Sequence, residues 1–135
     1  MDDLQDFLAQ PNVAVLATVD HKGRPHAAPV WYLYEDGVFI ISTGRGSQKH
    51  KNLEGNPNAT LVIERRDIPY YAVMAHGTVE VGPAFSNEQR LRLATRYLGD
   101  ELGKAYAART QAFDENVSIR VTPRKLIEYN GRAGR

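Results

Sequence analysis

The sequence contains no cysteine. This absence excludes disulfide bonds, thiolate nucleophiles, iron–sulfur clusters and zinc sites built from cysteine thiolates. The sequence also lacks any apolar run that approaches the roughly 18 residues of a membrane-spanning helix. Its first residues are acidic, whereas a secretory signal peptide begins with basic residues. We therefore expect a cytoplasmic protein that has no membrane partner.

The sequence also lacks an excess of lysine and arginine over acidic residues that would give it a strong positive charge. The formal net charge is only +1, whereas nucleic-acid-binding domains carry a marked excess of lysine and arginine. We therefore expect no nucleic-acid partner. The chain has 135 residues, of which 42% are hydrophobic and 24% are charged. This length and composition predict a single globular domain over residues 1–135.

Familiar catalytic motifs are also absent. The four histidines, His21, His26, His50 and His76, show no metal-binding spacing such as H-x-x-x-H. No G-x-S-x-G motif identifies a serine nucleophile, and no pair of carboxylates is placed by sequence alone for acid–base catalysis. We therefore predict no metal site, and no residue is identified as a nucleophile or as an acid–base catalyst.

What is present is a series of short β-type runs separated by turn residues. The predicted strands span residues 13–19, 26–34, 38–43, 59–64, 71–81, 117–121 and 126–129. Helical segments are predicted at 3–9, 48–54 and 86–109. The last of these is the one main helix, and Gly99 and Gly103 are expected to break or kink it. Because strands and helices do not alternate, the pattern predicts a mainly β fold, an antiparallel β-barrel of six to seven strands with helices.

The segment TGRGSQKHKN at 43–52 joins a strand end to a helix start through glycines. Glycines permit close backbone approach, and free amides at a helix N-terminus attract an anion. The hydroxyls of Thr43 and Ser47 can donate to phosphate oxygens, and Lys49, Lys51 and Arg45 supply positive charge. These residues fit a phosphate-binding loop. They fit equally well a solvated basic loop in which Ser47 is an ordinary helix N-cap.

The second informative feature is Pro29 inside a predicted strand, followed by Trp31, the only tryptophan. A proline in a strand occupies an edge or a bulge, so neighbouring backbone groups can face a planar ligand. Trp31, Tyr32 and Tyr34 would then line an aromatic cleft. The alternative is that Trp31 is a core residue and Pro29 a barrel corner.

Five pieces of the sequence occur in a recognisable order: VAVLATV at 13–19, GRPH at 23–26, PVWY at 29–32, SQKHKNL at 47–53 and NP at 56–57. In this order the chain resembles the pyridoxamine 5′-phosphate oxidase-like flavin-binding split-barrel superfamily, from about residue 4 to residue 129. The combination of S-x-K, N-P and P-V-W-Y is similar to the branch that uses the deazaflavin coenzyme F-420.

The resemblance implies a homodimer with two cofactors at the interface, each contacted by both subunits. The ring would lie along residues 27–32, mainly against the backbone, with Ser42 and Thr43 near the ribityl chain and the phosphate. Ser47 and Lys49 match the family's phosphate-binding serine and lysine, and Lys51 and Asn52 match the basic residue and asparagine that follow. The predicted cofactor-binding residues are Ala28, Pro29, Val30, Trp31, Tyr32, Ser42, Thr43, Ser47, Gln48, Lys49, Lys51 and Asn52.

Two departures from the family pattern narrow this expectation. In the oxidase that makes pyridoxal phosphate, a glutamine of the fifth strand contacts the flavin, and Ala72 stands at that position here. The sequence also ends at Arg135, without that enzyme's C-terminal substrate-binding extension. We therefore do not expect vitamin B6 oxidation, and F-420 is favoured over FMN.

The resemblance implies hydride transfer from the reduced cofactor to an oxidised organic acceptor stacked over residues 29–31. An enone, a quinone or a tetrapyrrole would suit this chemistry. Two alternatives stay open: an FMN-dependent oxidoreductase, and a non-enzymatic protein that stores or carries a cofactor or haem. His21 and His76 leave haem binding open, but no sequence feature favours it.

Overall fold

The computed structural model describes residues 3–110 and 115–130. The elements in these ranges are α1 (Asp3–Leu8), β1 (Ala14–Val19), β2 (Pro25–Val30), β3 (Leu33–Glu35), β4 (Val38–Gly44), α2 (Gln48–Gly55), β5 (Asn58–Arg65), β6 (Tyr71–Gly82), α3 (Asn87–Leu98), α4 (Asp100–Thr110) and β7 (Asn116–Asn130). None of the helices in the described ranges combines the length and the apolar character needed to cross a bilayer.

The seven strands of the described ranges form one antiparallel sheet in the order β2-β1-β5-β6-β7-β4-β3. The two edge strands, β2 and β3, are consecutive in the chain and are joined by Trp31 and Tyr32 alone. Three residue steps span at most about 11 Å, so the sheet must curl until its two edges approach each other. The result is a split β-barrel, which confirms the predicted mainly β fold and its number of strands.

The core lies inside the curled sheet, where alternate side chains of the strands point inward. Leu16, Leu61 and Val73 lie on neighbouring strands and are fully buried. Helices α1 and α2 add Phe7, Leu8 and Leu53 to the same cluster. A separate small cluster lies outside the barrel, where helix α3 covers β3 and β4; its buried members are Leu33, Ile40 and Phe85, with Leu93 packed against them.

Two strand predictions were wrong. The strand predicted at 26–34 is divided into β2 and β3, because residues Trp31 and Tyr32 turn the corner between the two edges of the sheet. The strands predicted at 117–121 and 126–129 are one continuous strand, β7. The pairing shifts between Gly77, opposite Pro123, and His76, opposite Lys125. This bulge accommodates a proline within a long strand.

The prediction of a single main helix at 86–109 was also wrong, because this segment forms two helices, α3 and α4. Ser86 caps α3 in a capping box: its Oγ accepts from the Gln89 amide at 3.1 Å, and Gln89 Oε1 accepts from the Ser86 amide at 2.9 Å. Gly99, with φ +86°, ends α3 as expected. Gly103 does not break the helix. It lies within α4, where an added Cβ atom would lie 2.5 Å from Thr95 Cα.

Candidate functional site

The loop between β4 and α2 is organised by Ser47, the N-cap of α2. Its Oγ accepts from the His50 amide at 3.3 Å and lies 3.2 Å from Thr43 Oγ1. The Ser47 amide donates to the Gly44 carbonyl at 3.1 Å. The predicted N-cap is therefore confirmed, and the Ser47 hydroxyl lies directly beside a hydroxyl of β4.

His50 is buried, and its side chain holds this loop through a hydrogen bond to the backbone. The Gly46 amide donates to His50 Nδ1 at 2.9 Å, so the ring proton is on Nε2, which lies 3.2 Å from Glu54 Oε2. The sequence predicted free amides at this helix start. The His50 amide is not free, because it donates to Ser47 Oγ, and the Gly46 amide, which precedes the N-cap, donates to His50. The amides of Gln48 and Lys49, in the first turn of α2, have no preceding helical carbonyl to bond.

Asn52 ties helix α2 to strand β1. Its Nδ2 donates to Thr18 Oγ1 at 3.0 Å, and its Oδ1 accepts from Gln48 Nε2 at 2.7 Å. Both Asn52 and Thr18 are buried. The arrangement fixes the direction in which the first turn of α2, with Lys49, faces.

A cavity of about 750 Å³ opens beside this turn, a volume within the range of small-molecule sites. Its lining combines a lysine and hydroxyl-bearing residues with apolar and aromatic ones. Lys49 and Arg90 are the charged side chains that line it, and no acidic residue is among its lining in the described part of the chain. The lining consists of Val13, Pro29, Val30, Trp31, Ser42, Thr43, Gly44, Lys49, Phe85, Arg90, Leu93, Ala94, Tyr106, Thr110 and Asn116.

The aromatic wall is built around Trp31, at the corner between β2 and β3. Its indole stacks on Tyr97 of α3, with centroids 4.7 Å apart and planes 4° apart. The Tyr97 hydroxyl is anchored by the Asn12 carbonyl at 2.8 Å and accepts from the Tyr32 amide at 3.1 Å. Trp31 is therefore held in a fixed orientation, with Tyr106 of α4 near it at 6.4 Å.

A second, smaller cavity of about 160 Å³ lies on the other side of Lys49. Its polar lining includes His26, whose Nε2 lies 2.9 Å from Asp20 Oδ2. The hydrogen bonds from His26, from the amides of Arg24 and Lys22, and the nearby Arg24 charge hold the pKa of Asp20 well below its usual range. Asp20 thus organises the β1–β2 turn and holds His26, in the strand that follows the turn, beside this cavity.

The structure brings together most, but not all, of the predicted cofactor-binding residues. Those that line the large cavity are Pro29, Val30, Trp31, Ser42, Thr43 and Lys49, and those that line the small one are Ala28, Gln48 and again Lys49. Ser47 lies behind Thr43, Asn52 is buried against β1, and Lys51 is exposed on α2. Their role in cofactor binding stays a prediction.

Tyr32 has a different place from the one the sequence suggested. Its side chain is fully buried, and its hydroxyl donates to the Leu8 carbonyl at 2.9 Å. Burial raises the pKa of Tyr32 above its usual value. Tyr34 packs on Phe39 at 4.7 Å and donates to Gln5. The predicted cleft of Trp31, Tyr32 and Tyr34 is therefore not formed, and Trp31 alone of the three lines the cavity.

The wall supplied by helices α3 and α4 was missed by the sequence analysis. It contributes Arg90, Leu93, Ala94, Tyr106 and Thr110, with Phe85 just before α3. These residues lie far along the chain from the loop, and their spacing is that of an ordinary amphipathic helix. The signal that could have found them is the pair Gly99 and Gly103, which marks a tight helical hairpin.

The remaining predicted features lie away from both cavities. His76 Nδ1 is 2.7 Å from Thr60 Oγ1 on the outer face of the sheet, and His21 is exposed in the β1–β2 turn. Ala72 is buried on β6, opposite Glu64 and Tyr129. The chain end at 131–135, on which the expectation about a missing extension rests, lies outside the described residues.

Sequence comparison identifies relatives over nearly the whole chain. The family described as "Pyridoxamine 5'-phosphate oxidase" matches residues 1–130. A pyridoxine/pyridoxamine 5′-phosphate oxidase of Rubrobacter xylanophilus is 33% identical over 107 residues, covering 78% of this chain and 48% of that protein. Its counterpart from Salinispora arenicola is 31% identical, covering 86% and 59%. The chain thus spans about half to three-fifths of the length of these curated relatives.

Solved structures share the fold. A conserved hypothetical protein of Mycobacterium tuberculosis, Rv2991, has a TM-score of 0.78 and 25% identity, covering 96% of this chain and 84% of that one. A structure named F420 reductase has a TM-score of 0.74 and 26% identity, covering 91% and 94%. HutZ, a haem storage protein from Vibrio cholerae, has a TM-score of 0.70 and 17% identity, covering 96% and 93%.

Proposed function

We propose that this chain, which belongs to the pyridoxamine 5′-phosphate oxidase family, binds the deazaflavin coenzyme F-420 and serves as a reductase of an oxidised organic acceptor. Enones, quinones and tetrapyrroles are the acceptor classes considered. When bound and reduced, the cofactor supplies a hydride, and the acceptor takes its second hydrogen as a proton from water. The protein's own contribution is then binding, orientation and shielding.

The observation that carries this proposal is the polarity of the large cavity. Lys49 lines this cavity together with Ser42 and Thr43, and ammonium and hydroxyl groups are of the kind that binds a phosphate. Along the same cavity runs the segment from Pro29 to Trp31, whose apolar surface suits a planar ring. The lack of acidic lining in the described residues leaves the phosphate without a repelling charge.

The α3–α4 hairpin supports the shielding role. Phe85, Leu93 and Ala94, in and just before α3, are apolar and line the same cavity as the Pro29–Trp31 segment. An apolar wall limits the amount of water in the space where a hydride would be transferred, and the water that remains supplies the acceptor's proton. No side chain of the protein is required to take or give a proton there.

Two lines of support favour F-420 over FMN, and one keeps FMN as the second candidate. A solved structure named F420 reductase is 26% identical over 91% of this chain, and Ala72 stands where the resemblance expects a flavin-contacting glutamine. FMN is kept because the curated relatives at 31–33% identity are named pyridoxine/pyridoxamine 5′-phosphate oxidases. The likeness to a haem storage protein is one of fold alone.

We further propose a homodimer, supported by the outer face of the sheet. Strand register aligns Pro29, Val15, Val62, Met74 and Ile127 in one apolar row across β2, β1, β5, β6 and β7. Val15 is 39% exposed, an unfavourable position for an apolar side chain on a lone subunit. A second copy of the chain would bury this outer row, which begins beside the cavity at Pro29.

The test is equilibrium binding of F-420 and FMN side by side. We expect F-420 to bind more tightly, with the absorbance change of a bound deazaflavin. Lys49→Ala should weaken cofactor binding by roughly ten- to hundredfold, because a charge-assisted hydrogen bond is worth about 1.5–3 kcal/mol. Lys22→Ala, at an exposed lysine outside both cavities, is the matched control. Unchanged affinity in Lys49→Ala would refute the phosphate assignment.

A further inference from the structure

We infer that Trp31 and Tyr106 form an aromatic jaw that selects a planar, conjugated acceptor, with Tyr106 as the specificity-determining residue. The inference rests on the proposed function in one respect, that an acceptor is reduced in this cavity. It adds the residue that recognises the acceptor, on an element remote from the cofactor-binding loop.

The geometry of the two rings leaves a wedge open toward the cavity. One face of the Trp31 indole is covered by Tyr97, whose ring is parallel to it at 4.7 Å. Tyr106 lies 6.4 Å from Trp31 with its plane tilted by 56°, so these two rings do not stack on each other. Both line the cavity, and Tyr106 is 40% exposed. A planar ring entering the wedge would contact both at aromatic centroid distances of about 4.5–7 Å.

The jaw is held rigidly because α4 is fixed on either side of Tyr106. On one side Gly103 packs so closely on α3 that a Cβ atom would lie 2.5 Å from Thr95 Cα. On the other side Arg90 of α3 donates to the Ala107 carbonyl at 2.9 Å and to the carbonyl of Thr110. A preformed site avoids the entropy cost of ordering side chains when the ligand binds.

The surroundings of the jaw suit an apolar conjugated ring. Arg109 lies 5.6 Å from the Tyr106 ring centroid and packs on that phenol. Phe85 and Leu93 supply an apolar floor. Lys49, to which the proposed function assigns the cofactor phosphate, lies on helix α2, whereas Tyr106 lies on α4. The jaw therefore suits the acceptor ring, and Lys49 suits the cofactor phosphate.

The test uses Trp31 as its own reporter, since it is the only tryptophan. Menadione, a planar quinone, is titrated against the full chain with and without saturating F-420, and quenching of Trp31 fluorescence gives its Kd. Affinity for F-420 is measured separately by the cofactor's absorbance. Tyr106→Leu should raise the Kd for menadione by about tenfold, as expected for a lost aromatic contact. Its affinity for F-420 should stay within about twofold of wild type.

Two companion variants sharpen the result. Tyr106→Phe keeps the ring and should restore menadione binding, whereas Leu102→Ala changes an exposed residue of the same helix outside the cavity and should have no effect. The inference is overturned if wild type does not bind menadione, if Tyr106→Leu binds it normally, or if that variant loses F-420 by the same factor. If F-420 and FMN both fail to bind wild type, the proposed function fails. The dependence of menadione binding on Tyr106 still decides whether Trp31 and Tyr106 form a site for a planar ring.

Discussion

At the scale of single residues, His50 links the two ends of the loop that presents Lys49. It is 7% exposed, and its Nδ1 accepts from the Gly46 amide while Nε2 faces Glu54. The Gly46 side of the ring is a contact between a buried group and the backbone, whereas the Glu54 carboxylate is well exposed. The contact with Gly46 is therefore the one that stabilises the loop.

His50→Leu should lower the free energy of unfolding by about 1 kcal/mol. The substitution removes the acceptor for the Gly46 amide, and water compensates only partly because Gly46 itself is exposed. Urea unfolding measures the change. Glu54→Gln, which keeps an acceptor opposite Nε2, is the control and should alter stability little. Equal midpoints for wild type and His50→Leu would contradict this account.

Asp20→Asn should destabilise the protein in a manner that depends on pH. The folded-state pKa of Asp20 is lowered by the His26 and Arg24 hydrogen bonds, so the folded protein binds fewer protons than the unfolded chain. The carboxylate's stabilisation is fully present above the unfolded pKa of about 4 and is lost as pH falls toward the folded value. Urea unfolding at about pH 7 and about pH 3 should therefore show a larger gap between wild type and variant at the higher pH. A gap that is equal at both would be evidence against the hydrogen-bonded carboxylate.

Sequence reasoning located those residues of the candidate site that belong to local patterns. Ser47 as a cap, and Lys49 within its first helical turn, follow from neighbouring residues and the geometry of a helix start. Tyr106 and Arg90 could not be found in this way. Their role depends on how two helices fold back over the sheet, and no local pattern encodes that distance.

At the scale of elements, the α3–α4 hairpin depends on the absence of a side chain at Gly103. A Cβ there would lie 2.5 Å from Thr95 Cα and 2.8 Å from the carbonyl carbon of Ala94. These are backbone atoms, which cannot move aside as a flexible side chain does. The separation of the two helices, and with it the position of Tyr106, is set by this glycine.

Gly103→Ala should therefore destabilise the protein by about 1 kcal/mol. Overpacking costs about 1–3 kcal/mol, which exceeds the gain of under 1 kcal/mol in helix propensity. Gly55→Ala at the end of α2 is the matched control, since a Cβ there meets no atom within 4 Å. Thermal unfolding should show a lower midpoint for the first variant and no loss for the second. Stabilisation by Gly103→Ala would show that the helices are not in close contact.

The elements predicted best were those whose boundaries are set by turn residues. Helix α2 and strands β1, β4, β5 and β6 were each placed to within a residue or two. The division at Trp31 and the continuity of β7 through Pro123 were missed for one reason. Both depend on which strand lies alongside, a property of the whole sheet that local propensity does not contain.

At the scale of the whole molecule, the curled sheet has an inner face filled by the core and an outer face with an uncovered apolar row. Helix α3 covers the outer side of β3 and β4. The row through Val15, Val62 and Met74 lies on other strands, and no helix of the described part packs on it in the clusters of buried side chains. We expect a second subunit to cover it.

Val62→Lys should convert the proposed dimer to a monomer, because a buried unpaired ammonium in an apolar interface is strongly unfavourable. Light scattering after gel filtration should give about twice the chain mass of 15.1 kDa for wild type and that mass itself for the variant. Leu91→Lys places the same charge at an exposed apolar position of α3 and should leave the mass unchanged. A monomeric wild type, or a dimeric Val62→Lys, would exclude this interface.

The position of β7 in the sheet also determines when the chain can fold during its synthesis. This strand, at Asn116–Asn130, lies between β6 and β4 and pairs with both. Before it leaves the ribosome, the nascent chain can form a four-stranded piece, β2-β1-β5-β6, and a separate hairpin, β3-β4. Each piece then presents an open edge that can pair with another chain. Productive folding must therefore wait until β7 has left the ribosome, and these two edges can pair with other chains during that interval.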